Sequence, residues 1–157
     1  MSNHIVLYQP EIPANTGNIA RTCVGTGTHL HLIRPLGFST DDKMLKRAGC
    51  DYWPNVDIHY YDSLEELFKT WPEGEYYFVE TIGSTPYSDF SYNELSKDYF
   101  FVFGSETKGL PEEITFNNKD HCLRIPQNDY VRSLNLSNTA AIVIYEVLRQ
   151  QQFPKLY

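Results

Sequence analysis

Arg132, Ser133 and Asn135 stand just ahead of the apolar run Thr139–Leu148. The stretch that carries them is Arg124-Ile-Pro-Gln-Asn-Asp-Tyr-Val-Arg-Ser-Leu-Asn-Leu-Ser-Asn138. It reads as a short strand ending at Ile125-Pro126, a polar loop, and the mouth of a long helix. A helix mouth offers unpaired backbone N–H groups and a positive local potential. Three polar side chains delivered there can hold a nucleotide or a cofactor. The same residues can also do no more than cap a helix, and this stretch alone leaves both readings open.

Two further stretches carry chemistry of the same kind. In Pro13-Ala-Asn-Thr-Gly-Asn-Ile-Ala-Arg-Thr22 the residues Asn15, Asn18 and Arg21 recur every three positions. That spacing predicts roughly one polar helix face, with Ile19, Ala20, Cys23 and Val24 opposite. The first turn favours an anion, and Arg21 can grip a phosphate in bidentate fashion. A capped surface helix with an ordinary Arg is the alternative. In Phe101-Val-Phe-Gly-Ser-Glu-Thr-Lys-Gly-Leu-Pro111 a strand runs into Gly104, whose missing side chain would let a ligand approach the backbone. Glu106 can neutralise or orient a cationic group. The alternative is a plain strand-to-helix turn. Lys108 precedes Gly109 and no Gly-Lys-Ser/Thr follows, so this is no Walker loop. The G-x-G-x-x-G dinucleotide fingerprint is absent as well.

The elements that must position these loops alternate along the chain. Strands are predicted at Ile5–Tyr8, His29–Ile33, Val56–Tyr60, Tyr76–Glu80, Tyr99–Phe103 and Cys122–Ile125. Helices are predicted at Asn15–Thr26 with Asn15 as N-cap, Asp41–Ala48, Ser63–Trp71, Pro111–Ile114 and Leu136–Gln151. Such alternation implies an α/β fold, a mostly parallel sheet covered by helices. No internal repeat or linker divides residues 1–157, so a single domain is expected. Gly83–Asp98 reads as a loop able to cover or border a site. The last helix is apolar at Ala140, Ala141, Ile142, Val143, Ile144, Val147 and Leu148, too broadly for one core-facing stripe. A second subunit is expected to cover part of it.

Composition bounds the remaining classes. Hydrophobic residues make up 41% and aromatics 15%, which excludes a disordered chain. No stretch of about 18 apolar residues occurs, and the N-terminus shows no secretory signal pattern. A cytoplasmic protein without a membrane partner is expected. Cys23, Cys50 and Cys122 lack metal-ligand spacing and read as buried thiols in a reducing compartment. The five His residues are scattered and read as structural, so no metal is expected. The net charge of −7 argues against nonspecific nucleic-acid binding but leaves local basic patches. Lys43, Lys46 and Arg47 form one, in which a solvated helix face is the plainer reading.

Taken together, the three stretches resemble the motifs of the SPOUT superfamily of knotted RNA methyltransferases. Asn15–Arg21 is similar to its first motif, Phe103–Pro111 to its second, and Ile125–Asn138 to its third. The short length and the opening Asn3-His-Ile-Val-Leu-Tyr-Gln-Pro-Glu-Ile-Pro-Ala-Asn-Thr-Gly-Asn18 resemble its tRNA (cytidine/uridine-34) 2′-O-methyltransferase subgroup. Glu80-Thr-Ile-Gly83 departs from the pattern, because it places an acid at a cofactor-side strand end.

The resemblance implies an α/β knot with a C-terminal trefoil, a homodimer, and S-adenosylmethionine as methyl donor with S-adenosylhomocysteine as product. It implies cofactor contacts at Thr81, Gly104, Ile125, Ser133 and Leu134. It implies methyl transfer to the ribose 2′-hydroxyl of wobble nucleotide 34, a cytidine or modified uridine, in the tRNA anticodon arm. Arg21, Ser133, Asn135, Glu106 and Tyr145 are the expected catalytic residues, with packing as the alternative for Tyr145. RNA contacts are expected at Asn15, Asn18, Arg21, Arg132, Lys43, Lys46 and Arg47. Arginine stays protonated in proteins, so Arg21 reads as phosphate clamp and charge stabiliser ahead of base. Methylation at another tRNA or rRNA position, or a non-catalytic RNA-binding module, are the competing readings.

Overall fold

A computed structural model describes residues 2–82 and 85–157 of the chain. Seven parallel strands form one sheet: β1 (Asn3–Tyr8), β2 (His29–Ile33), β3 (Ile58–Tyr61), β4 (Glu75–Val79), β5 (Thr85–Pro86), β6 (Tyr99–Phe103) and β7 (Cys122–Arg124). Their order across the sheet is β3-β2-β1-β6-β4-β7-β5. The helices are α1 (Pro13–Thr26), α2 (Lys43–Gly49), α3 (Leu64–Thr70), α4 (Glu112–Asn117) and α5 (Leu136–Gln150).

Strand alternation divides the core into two layers. Ile5, Leu7, Leu30, Leu32, Phe101 and Phe103 meet α1 and α5 through Ile19, Ala20, Val143, Ile144 and Val147. Val6, Ile33, Phe78, Phe100 and Val102 point the other way, against Leu64 and Leu67 of α3 and Ile114 of α4. Apolar residues at successive strand positions are what a sheet covered on both faces requires.

Local chemistry sets the helix ends. Pro13 opens α1, where its missing N–H costs nothing. The N-cap position is therefore Ile12, with no side-chain cap, and not Asn15. Gly27 closes α1 in the left-handed region at φ 68°. Ser63 caps α3 by accepting the Glu66 N–H at 3.1 Å, and the Glu66 carboxylate accepts the Asp62 N–H at 2.7 Å.

Several expectations are corrected. Val56–Tyr60 becomes a strand only from Ile58, because a 3₁₀ segment spans Cys50–Asn55 and Val56 N–H closes its turn on Trp53. Residues 85–98 are more ordered than a plain loop. They contain β5 and the 3₁₀ turn Tyr87–Asp89, and are anchored by the fully buried Tyr92, whose hydroxyl donates to the Tyr87 carbonyl at 2.6 Å. Gly83 and Ser84, within the same expected loop, lie outside the described residues. The apolar breadth of α5 is largely taken up within the chain, since Ala140, Val143, Ile144, Val147 and Leu148 are buried against the sheet and α1. Only Ile142 and Tyr145 keep substantial exposure on that helix's apolar side, at 36% and 49%.

The histidines are not scattered. His4, His29, His31 and His59 meet on the α3 side of β1–β3. His4 stacks on Phe100 at 4.0 Å, and its Nδ1 lies 2.9 Å from His31 Nε2. Burial drives the His4 and His31 pKa down to about 3, so both rings are neutral at pH 7. The spacing His29-Leu-His31 and Ile58-flanked Asp57/His59 is the period of a strand face, and that was the signal in the sequence. His121 stands apart, with Nδ1 2.9 Å from the Tyr76 carbonyl. Cys23 and Cys122 are buried thiols, as expected, and burial pushes Cys23 up to about 12. The Cys50 side chain lies outside what is described.

Candidate active site

The C-terminal ends of β1, β6, β4 and β7 lie side by side. Loops leaving them enclose a cleft of about 800 Å³, a volume suited to a nucleotide-sized ligand. Open parallel sheets place ligands at this end, where helix N-termini also point.

The loop after β6 folds back on itself. The Gly109 N–H donates to the Ser105 carbonyl at 3.0 Å, and the Lys108 N–H donates to Ser105 Oγ at 3.2 Å. Gly109 takes a left-handed φ of 67°. A Cβ at Gly104 would lie 2.2 Å from Gly109 C and 2.4 Å from Leu110 N. Gly104 borders the cleft, and the loop's own backbone by itself already demands glycine there.

Glu106 joins this loop to the entry of α1. Its carboxylate accepts the Glu11 N–H at 3.0 Å and the Ile12 N–H at 2.5 Å. Thr107 returns the tie, its hydroxyl donating to the Glu11 carboxylate at 2.7 Å. That hydrogen bond, with a second from Ser105, holds the Glu11 carboxyl below the usual carboxylate range. Glu106 therefore positions α1, which caps no N–H group of its own.

The loop after β7 brings Ile125, Gln127, Arg132, Ser133, Leu134 and Asn135 to the opposite wall. Asn135 is the N-cap of α5: its Oδ1 accepts from Ser137 N at 2.9 Å and Asn138 N at 3.2 Å. Its Nδ2 donates to Asn15 Oδ1 at 3.0 Å. Capping and site membership are thus combined in one side chain. Thr81 and Glu80 complete the wall from the end of β4. Burial raises the Glu80 pKa, opposed by a hydrogen bond from the Leu110 N–H. Its place in the wall is new; the sequence signal for it was the unusual acid at a strand end.

The cleft gathers Asn15, Thr81, Gly104, Glu106, Ile125, Arg132, Ser133, Leu134 and Asn135. Ser105, Thr107, Lys108, Gln127 and Thr139 join them without having been singled out as site residues. Arg21 and Asn18 are exposed on α1 and do not line it. A three-residue step falls short of a helical turn by about 60°, so Asn15, Asn18 and Arg21 spread over an arc of α1 along which Asn15 is buried while Asn18 and Arg21 are exposed. The Arg21 guanidinium sits over the Tyr52 ring at 5.3 Å. Tyr145 also lies outside the cleft wall. Lys43, Lys46 and Arg47 are exposed on α2, which packs along α1.

A profile of the SpoU rRNA Methylase family matches residues 2–145. The chain belongs to this family. Among its SpoU relatives, a Listeria monocytogenes serotype 4b (strain F2365) protein is 66% identical, covering 99% of this chain and 92% of that one. It is named provisionally as a tRNA (cytidine(34)-2′-O)-methyltransferase. A solved structure bearing on 2-OH methylation of C/U34 on tRNA is 41% identical, with a TM-score of 0.88 over 96% of this chain and 97% of that one. An AdoMet-bound rRNA methyltransferase from Sinorhizobium meliloti is 25% identical, with a TM-score of 0.82 over 94% of this chain and 56% of that one. Both solved structures share this SpoU chain's α/β architecture.

Proposed function

We propose that the chain transfers a methyl group from S-adenosylmethionine to the ribose 2′-hydroxyl of nucleotide 34, cytidine or modified uridine, in tRNA. The observation that carries this reading is the convergence of the loops after β6 and β7, with Asn15 from α1, on one cleft, in a chain 66% identical to a relative named provisionally for the cytidine-34 reaction. The cleft suits the cofactor chemically. Phe103, Ile125, Leu134 and Leu136 offer apolar surface to an adenosine, and the Glu80 and Glu106 carboxylates complement a cationic centre.

When bound, the cofactor supplies a methyl group on a sulfonium. The chain's residues supply positioning, which dominates a transfer of this kind. Ser133 and Asn135 at the mouth of α5 orient the ribose. Glu106 holds the entry of α1, and Arg132 offers charge to the RNA backbone at the rim. Arg21, permanently protonated, clamps a phosphate and stabilises the oxygen as its proton passes to solvent.

Arg21 does not line its own chain's cleft. A homodimer that sets α1 of one protomer against the cleft of its partner reconciles this placement with its role. Leu134, Ile142 and Tyr145 retain 36%, 36% and 49% exposure and suit such an interface. Tyr145 then serves packing first. The single domain, the trefoil threading of the C-terminal segment and cytoplasmic residence belong to the same reading. Insertion of β7 between β4 and β5 is in keeping with the threading. Among the described residues no helix is long and apolar enough to cross a membrane.

The experiment is methyl-label transfer from S-adenosylmethionine into total RNA of a strain lacking the protein, followed by mapping of the label. Label at tRNA position 34 supports the proposal. Label at another tRNA position or in rRNA assigns a different substrate, and absence of label leaves a non-catalytic binding module.

A further inference from the structure

Parallel pairing sets His29 and Asp57 side by side where β2 and β3 begin. Leu30 pairs with Ile58, and the Leu30 N–H donates to the Asp57 carbonyl at 2.9 Å. The strand period of two then places His59 on the same face as Asp57. The result is a carboxylate between two imidazoles. One Asp57 oxygen is hydrogen-bonded to His29 Nδ1, and the other lies 3.1 Å from His59 Nε2. One donor atom from each residue falls within 4.8 Å of the other two. The His4 ring stacks on His29 at 4.8 Å and the His31 ring on His59 at 5.0 Å, so both imidazole planes are backed by the core.

We propose that His29, Asp57 and His59 form a binding site for a divalent transition-metal ion of the zinc class, clipping β3, an edge strand of the sheet, to β2. Two imidazole nitrogens and one carboxylate make a donor set that suits zinc, nickel or copper and not magnesium or calcium. Tetrahedral coordination at zinc distances spaces donors roughly 3.3 Å apart. The Asp57–His59 pair already stands at 3.1 Å. Partly exposed side chains, at 32%, 54% and 41% for His29, Asp57 and His59, can close the rest by small torsions. Three protein donors leave a coordination position for water. The net charge of −7 favours arrival of a cation. The strand starts that carry this site lie at the opposite end of the parallel sheet from the cleft, so it stands apart from methyl transfer.

The test is titration of metal-free, full-length protein with zinc chloride by calorimetry, and with cobalt(II) by visible absorption. One saturable site per chain at micromolar zinc is expected, with intense cobalt bands of a low-coordinate nitrogen–oxygen site. Zinc should raise Tm in the wild type by mass action. His59→Ala and Asp57→Asn should each weaken zinc binding at least tenfold and remove the rise in Tm, while the metal-free far-UV spectrum and methyl transfer stay unchanged. No saturable uptake by the wild type would overturn the site and leave a hydrogen-bonded surface triad. Uptake that persists in the His29→Ala/His59→Ala double variant would overturn it too, by placing the metal elsewhere.

Discussion

Asn135 Nδ2 donates to Asn15 Oδ1 across 3.0 Å, while Asn135 Oδ1 accepts the N–H groups of Ser137 and Asn138. One side chain thus caps α5 and ties its mouth to the first turn of α1. Asn135→Ala should lose cap and tie together, about 1–2 kcal/mol of stability. Asn15→Ala should lose the tie alone, about 1 kcal/mol. In urea unfolding the double variant should cost less than the sum of the two singles. Strict additivity would mean the two residues do not act as a pair.

Arg21→Ala should slow methyl transfer by two or more orders of magnitude, about 3 kcal/mol of transition-state stabilisation. Cofactor affinity should hold, because the loops after β4, β6 and β7, and not the Arg21 side chain, form the cofactor's part of the cleft. Arg21→Lys should rescue little, since a point charge cannot reproduce the planar fork or its seat over Tyr52. Single-turnover methylation at saturating tRNA isolates this effect. Normal turnover in Arg21→Ala would falsify the role.

Gly104→Ala should open the loop after β6, because its Cβ would sit 2.2 Å from Gly109 C. Backbone cannot yield there as a flexible side chain would, so a loss of about 1–3 kcal/mol is expected. Tm and cofactor affinity should fall together. Lost cofactor affinity at unchanged Tm would restore the view that the ligand itself demands the glycine.

Binding of tRNA should weaken as salt rises, despite the net charge of −7, because local cations meet phosphates. Lys43, Lys46 and Arg47 are exposed on α2 alongside α1. Reversing all three charges should lower tRNA affinity at least tenfold and flatten the salt dependence. Filter binding over a salt series checks this, and an unchanged slope would return these residues to a solvated face.

Stability should fall on mild acidification. Burial holds the folded pKa values of His4 and His31 at about 3, against the ordinary histidine value of 6.5. The folded state therefore favours the neutral rings. Their contribution is complete above pH 6.5 and is lost as pH falls from there toward 3. At pH 5 one such group costs about 2 kcal/mol. Unfolding free energies from urea curves at pH 7.5 and pH 5 should differ by at least that order, and His4→Gln should narrow the gap. An equal gap in both proteins would assign the acid sensitivity to other groups.

Most of the element order, helix starts such as Ser63, and the loops after β6 and β7 were legible in the chain, because each rests on short-range periodicity, capping and turn chemistry. Position along the chain did not reveal that Gly104 is pinned by Gly109 and Leu110, or that Glu106 serves the backbone of Glu11 and Ile12. The first arises when the loop after β6 closes on itself, and the second joins segments that come together only once β1 pairs with β6. The apolar width of α5 read as a second interface, yet the sheet and α1 together cover most of it. Four histidines that look dispersed along the chain became one cluster when β1, β2 and β3 aligned in parallel register. Local propensity acts over a few residues and is written in them. Strand register, loop closure and the packing of one helix on two neighbours are settled by the whole chain's burial of its apolar surface, so only the folded molecule decides which distant side chains meet.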